Sequence, residues 1–519
     1  MLAQREAIAA GKRYRISCND GAAVTANRDG DCAAIHHLPH DSLVLVAEVS
    51  AGHAGTSRAR LSSPSGWVDA DLLEPAGPAP SLKVDFDTFL TVHATVAPGD
   101  HYGLEFPFTI AMLREFGAEF LTRAFHAAGT MSPANRVEEI VSIDPLGIPG
   151  ASENALMRLR YAEDEPGLQA DLFIKFPPED LYHKFRQSTS QSEVEMLRFS
   201  RTGLLPVPMA KYYYGDYSSR TTNYILITEK LDFGIAPIEP AYRKGFDHLV
   251  PQVEEHYQIL VKSLARLVGA HKAGRLGYDI EKLFPFARAA RDFQPIEDQE
   301  RRTDRLVDFI GRVAPHLFAP EATDPDFLQR WRDDLLFGLD NKDEVIAYLH
   351  ADVDYTGLCH PNLNVDNAWY WRDEAGELHA GLIDWGGAGQ MSMGQALSGL
   401  LMMLEPERHS RVVNGAISTF ISEYQQACGL RLDRKKLVFH YKASVFSTAI
   451  WTIVGMLADM LDRFSEEEYK SMDTLLDERL QATHMSVIIA WIDNMLREWL
   501  DEVTPGDACR LIVAKKAPL

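Results

Sequence analysis

Between residues 11 and 75 apolar and polar positions alternate in short runs, RYRIS, AAVTA, SLVLVAEV, SRARL and GWVDADLLEP, separated by the turn sequences NDG, NRDGD and AGHAG. A period of two, repeatedly interrupted by Gly, Asn and Asp, predicts several short strands. Strands of that length and spacing indicate a small all-β barrel, whose core is limited by a span of only ~65 residues. The Pro-rich AGPAP at 76–80 can neither continue a ladder nor start a helix, and marks a boundary or stiff linker through residue 84.

The period then changes. Residues 108–128, FTIAMLREFGAEFLTRAFHAA, place apolar side chains at i, i+3 and i+4, and Gly129 closes the helix so predicted. A second β-rich block follows at 136–147, 155–162 and 170–176. Next come a helical segment around SEVEMLRFSR and a strand at 224–231. Beyond residue 240 nearly every segment has helical periodicity, except for a β-like patch at 358–384. The expected fold class is α+β: a β-rich lobe (85–231, with its helical leader) and a helical lobe (232–519), preceded by a short tail (1–10) and the barrel. A β-rich lobe followed by a larger helical one is the outline of the two-lobed protein-kinase-like fold.

Composition narrows the function classes. The 519 residues carry a formal net charge of −22, which repels polyanions and argues against a nucleic-acid partner. Five cysteines without a CxxC pair suggest reduced thiols in a cytoplasmic setting, with no zinc ribbon or redox motif. His36, His37 and His40 sit in a turn-forming HHLPHD and read as solvated loop residues. The longest nearly uncharged run, 443–458, falls short of the ~20 residues of a membrane span and reads as a buried helix.

The chemistry concentrates in LCHPNLNVDNAWYWRDEAGELHAGLIDWGGAG, residues 358–389. Here His360, Asn362 and Asn367 have the spacing H-x-N-x-x-x-x-N, and Asp384 follows seventeen positions later. Phosphoryl transfer needs oxygen ligands that hold magnesium against nucleotide phosphates, and a group that orients the acceptor hydroxyl. Asn367 and Asp384 fit the ligand pair, and RDEAGE reads as the hairpin turn between them.

These residues resemble the aminoglycoside phosphotransferase and choline kinase superfamily, in particular its ecdysteroid-kinase-like branch. The catalytic loop there reads H-G-D-x-x-x-x-N and the metal motif I-D-W or I-D-F. The resemblance covers about residues 105–460 and implies an enzyme using ATP and Mg2+ on a small-molecule hydroxyl. It implies that Lys175, ending the strand ADLFIK, meets the phosphates, and that Glu193 rather than Glu195 pairs with it. The loop with Gly147 and Gly150 would cover the phosphates, and residues 228–231, including Glu229 and Leu231, would be the hinge for an adenine edge. His271 would sit in a structural helix. Residues 14–18, 35–38 and Gly66, Trp67 and Val68 resemble bacterial Src-homology-3-like barrels, which implies either a docking module for a protein partner or a packing domain.

One position departs from the family. Asn362 stands where the catalytic Asp is expected, and a neutral amide can orient a hydroxyl but cannot take its proton near neutral pH. Pro361 replaces the family's glycine and fixes φ there. The nearest carboxylate is Asp366, with Asp352 and Asp354 in the preceding segment. The sequence therefore supports a phosphotransferase in which His360 and Asn362 shape the acceptor site, and alternatively a nucleotide-binding pseudokinase that serves as a protein platform.

Overall fold

Alternation in residues 13–75 becomes seven antiparallel strands: β1 (Arg13–Ile16), β2 (Ala22–Thr25), β3 (Ala34–Leu38), β4 (Leu43–Ala51), β5 (Ser57–Leu61), β6 (Gly66–Asp69) and β7 (Leu73–Pro75). Their order is β3-β2-β6-β5-β4-β1-β7. Every second side chain turns inward, so that Tyr14, Ile16, Val24, Val46, Leu61 and Val68 form one core. The ladder is open, with β3 and β7 as its edges. Pairing among the described residues does not close the barrel expected from the strand spacing.

The computed structural model describes residues 8–52, 56–77, 85–146, 152–178, 181, 184, 190–277, 279–286, 296–404, 408–483 and 485–517. The chain divides into two compact units. One comprises Met1–Pro78, Ala241–Ala368 and Gly389–Leu519, and the other Ala79–Pro240 with Trp369–Ala388.

In the second unit the predicted helix is α1 (Ile110–Ala128). Thr109 caps it by accepting from the Met112 amide, and Gly129, at φ +64°, ends it in the left-handed conformation that favours glycine. Five antiparallel strands follow: β8 (Val137–Leu146), β9 (Glu153–Tyr161), β10 (Asp171–Phe176), β11 (Tyr212–Tyr217) and β12 (Tyr224–Glu229), in the order β11-β12-β10-β9-β8. β11, sequence YYYGDY, has no period-two alternation because almost every residue in it is buried, and the sequence pattern alone did not single it out. Helix α2 (Ser190–Ser200) lies between β10 and β11 in the chain. Its Val194 and Leu197 join Leu113, Phe125, Ile174 and Ile227 in one apolar cluster. The hairpin expected around RDEAGE forms between Ala368–Arg372 (β14) and Leu378–Leu382 (β15), with Asp373 Oδ1 accepting from the Ala375 and Glu377 amides in the turn.

Elsewhere in the first unit helices dominate: α3 (Val253–Lys272), α4 (Ile280–Leu283), α5 (Met393–Leu401), α6 (His409–Cys428) and α7 (Arg434–Thr448). The antiparallel pair β13 (Thr356–Cys359) and β16 (Gly389–Ser392) lies among them, with all four residues of β13 buried. α7 continues through a π-helical stretch, Ala449–Leu457. The whole run Arg434–Arg463 is long and apolar enough to cross a membrane by length and composition, and 56% of its most apolar window is buried within the protein.

Candidate functional site

Lys175 is placed by β10, whose alternating side chains Leu172, Ile174 and Phe176 are fully buried while Lys175 projects to the opposite face. It is held in register with Asn154 of β9 and Leu226 of β12. From there its Nζ donates to Glu193 Oε2 at 2.7 Å and to Asp384 Oδ1 at 2.6 Å. Burial opposes the ammonium charge, but Asp384 and Glu193 outweigh it and hold Lys175 well above the ordinary lysine value. Burial pushes the Glu193 carboxyl up, an effect that Lys175 opposes and Asp384 reinforces. Two carboxylates around one ammonium leave the cluster with an excess negative charge, an arrangement that suits a divalent cation with oxygen ligands.

The Glu193 and Glu195 side chains take separate partners, as their different helix faces require. Glu195 accepts from the Tyr217 hydroxyl at 3.2 Å and lies 3.2 Å from His101 Nε2, leaving Glu193 with the lysine.

Asp384 has φ +59°, a left-handed conformation rare for a non-glycine residue and found preferentially where surrounding structure enforces it. Two contacts hold the turn that follows it. Trp385 is fully buried and its indole donates to Leu382 O at 3.3 Å, and the Gly387 amide donates to Ser192 Oγ at 3.0 Å. Ser192 therefore ties the Asp384 turn to the same helix end that presents Glu193. The only sequence sign of this role is a serine directly preceding Glu193.

The loop after β13 lies in the first unit and is organised around the backbone carbonyl of Asn362. That oxygen accepts from the Asn364 amide at 2.8 Å and from Asn367 Nδ2 at 2.7 Å, so the side-chain oxygen is the atom through which Asn367 could hold a cation. The Asn362 amide N–H points to His360 Nδ1 at 3.4 Å, and His360 is fully buried. Asn364, fully buried, donates to Gly399 O of α5 at 2.8 Å. A Cβ at Gly399 would sit 1.9 Å from Pro361 O, so α5 and the loop touch through a glycine. Asn364 and Gly399 lacked any motif signal, since their importance arises only from this close approach.

Asp366, half-buried, lies 3.7 Å from Lys244 Nζ. Asp352 pairs with Lys436 at 2.6 Å and with His440 at 3.3 Å; burial raises its carboxyl, but these partners prevail and bring it down to about 2. Both oxygens of Asp354 accept from the Arg60 guanidinium at 2.7 Å. At the end of β12 the Glu229 amide donates to Lys211 O at 2.9 Å and its carboxylate accepts from the Lys211 amide at 2.7 Å, with Leu231 two residues beyond. Gly147 and Gly150 lie outside the described residues. His271 Nδ1 accepts from the Leu358 amide at 3.2 Å. Burial, helped by Lys272, lowers His271 to about 3, so the ring is a neutral acceptor.

No protein-family model and no curated protein matches the sequence. Among solved structures, the chain is similar to the microcompartment-associated aminopropanol kinase at 14% identity and a TM-score of 0.35, covering 73% of this chain and 94% of that one. It is also similar to macrolide 2'-phosphotransferase type I at 14% and 0.34, with coverages of 67% and 94%. For the choline kinase LicA from Streptococcus pneumoniae the values are 14%, 0.31, 68% and 94%. Likeness at this level assigns neither fold nor activity, and the functional reading rests on the chain's own residues.

Proposed function

We propose that this chain is a small-molecule phosphotransferase that uses ATP and Mg2+, built on a two-lobed kinase-like fold. The observation that carries the reading is the ammonium of Lys175 set between Glu193 and Asp384. In protein kinases a lysine on the third strand of the β-rich lobe pairs with a glutamate on the following helix, and a separate aspartate holds the metal. Here Lys175 lies on the third strand of the five-stranded sheet and Glu193 on the next helix, and the β11-β12-β10-β9-β8 order keeps β10 central.

The residues suit the nucleotide. Lys175 would meet the phosphates, with Glu193 fixing its position. Asp384, whose side chain is 45% exposed, would be one metal ligand and Asn367 the other expected from the sequence. Bound magnesium would neutralise charge developing on the phosphate oxygens. Residues 228–231 would face the base. In the transfer the acceptor oxygen bonds to the γ-phosphorus as its bond to the β,γ-bridging oxygen breaks, releasing ADP and the hydroxyl proton. Asn362 and His360 would orient the hydroxyl. Asn362 cannot accept the proton, so the proton passes to solvent or to a carboxylate, Asp366 being the nearest in sequence. We place the protein in the cytoplasm on the basis of its five cysteines, all free thiols.

The amide at Asn362 also favours a second reading, a nucleotide-binding pseudokinase. One experiment separates the two: purified protein with labelled ATP and a panel of amino alcohols, sugars and sterols, beside Asp384→Ala. Turnover that this substitution abolishes supports the transferase. Thermal stabilisation by Mg-ATP without turnover supports the platform, and no effect of nucleotide removes both.

A further inference from the structure

The N-terminal sheet shares a compact unit with the helical segments, and the hydrogen bonds between them converge on the strand pair that leads into the loop at His360. At the entry to β13, the Arg60 guanidinium makes its two-pronged contact with Asp354, and Lys272 Nζ donates to Ser62 Oγ at 2.7 Å and to Val353 O at 2.6 Å. Val353 and Asp354 belong to the turn immediately before β13. Behind β13, Ser63 Oγ donates to His271 O at 2.5 Å and the Ser65 amide to Lys272 O at 2.9 Å, while the ring of His271 accepts from Leu358 in the strand itself.

On the side of the partner strand β16, Arg13 Nε of β1 donates to Glu281 Oε1 of α4 at 2.5 Å. The other oxygen of Glu281 accepts from Gln390 Nε2 at 2.5 Å, and Gln390 is the β16 residue opposite Leu358. Glu281, Gln390, His271 and Lys272 are all buried. Buried charges without partners cost several kcal/mol each, so these contacts are obligatory rather than incidental. There is also no steric slack, since a Cβ at Gly274 would fall 2.6 Å from Pro64 Cβ.

We propose that the N-terminal sheet is a built-in buttress of the β13–β16 pair, with Arg13, Arg60 and Ser62 as positioning residues for the loop His360–Asn362 that acts through Glu281, Asp354 and Lys272. The catalytic meaning of that loop rests on the proposed phosphotransferase reading, while the mechanical linkage does not. A free docking module would leave β13 indifferent to the sheet.

The test uses the full chain carrying Arg13→Ala with Arg60→Ala, with Arg15→Ala as control because Arg15 pairs with Asp41 in the turn between β3 and β4, within the N-terminal segment itself. Amide hydrogen exchange is followed over 353–362 and 389–392, with β10 and β12 as reference. The double variant is expected to lose protection in 353–362 and 389–392 by at least about tenfold, with the reference strands within about twofold. Phosphoryl transfer should fall at least about tenfold with the Mg-ATP dissociation constant within about twofold, and Arg60→Lys should lie between wild type and Arg60→Ala. Unchanged protection in 353–362, loosening confined to 13–75, or uniform loss across both units would overturn the proposal; the first two results would indicate a separable module open to a partner. If the wild type transfers no phosphoryl group, the functional reading fails and the exchange pattern still decides the linkage.

Discussion

Replacing Lys175 with methionine removes a single ammonium from between two carboxylates, and its consequences can be worked out from the geometry. Nζ lies 2.7 Å from Glu193 and 2.6 Å from Asp384, and the Lys175 and Glu193 side chains are only 12% and 6% exposed. Without it the carboxylate oxygens, 2.7 and 2.6 Å from the former ammonium, lie at most about 5 Å apart, which at an effective dielectric of about 20 amounts to a repulsion of at least about 3 kcal/mol. Asp384 is nearly half exposed, so solvent screening trims that figure. Removing one member of a buried pair typically costs about 3–5 kcal/mol, and we expect the lower end near pH 8. The sign with pH follows from Glu193. Its folded-state pKa already lies above the ordinary 4.5, and loss of Lys175 removes a group that lowers it. The folded variant then binds more protons than the unfolded chain from about the ordinary glutamate value upward, so its stability falls as pH rises through that window and recovers as pH falls. Because two compact units need not unfold together, local opening measured by hydrogen exchange in β10 and β12 at pH 5 and pH 8 is the appropriate assay. A penalty that is equal at both pH values, or larger at pH 5, would refute the electrostatic account. Mg-ATP binding should be lost at both.

Other substitutions probe the remaining parts. Asn362→Asp puts a carboxylate where the proposed transferase would hold its general base and should raise phosphoryl transfer by about 10²–10⁴ with little change in nucleotide binding; an unchanged rate would mean that another group already serves as base or that transfer is not this chain's activity. Gly399→Ala puts a Cβ where Pro361 O now sits and should cost about 1–3 kcal/mol in the first unit while loosening the amides of 362–367, as exchange would report. Ser192→Ala removes the acceptor of the Gly387 amide, and should weaken Mg-dependent stabilisation by ATP more than it lowers the melting temperature.

The sequence was most informative where a residue's role depends on its neighbours in the chain. Lys175 at the end of an alternating strand, and Glu193 opening a helix eighteen residues later, could be read as a pair through the resemblance their motifs carry, and the two side chains meet at 2.7 Å. The left-handed backbone of Asp384 could not be read, because the turn that carries it is held by the contact of Gly387 with Ser192, 195 residues apart. The same limit accounts for the N-terminal stretch. Its strands follow from period two, yet whether they close on themselves or lie open against something else depends on contacts such as Arg13 to Glu281, 268 residues apart, which no local pattern encodes. Charged residues at strand positions read as solvent-facing by default. Arg13 and Arg60 instead reach beyond the sheet, to Glu281 of α4 and to Asp354 in the turn before β13. An arginine in an alternating strand therefore carries two opposite meanings, and only a partner with a fixed position distinguishes them. The buried Glu281 supplies that partner here, and the proposed buttress rests on that contact.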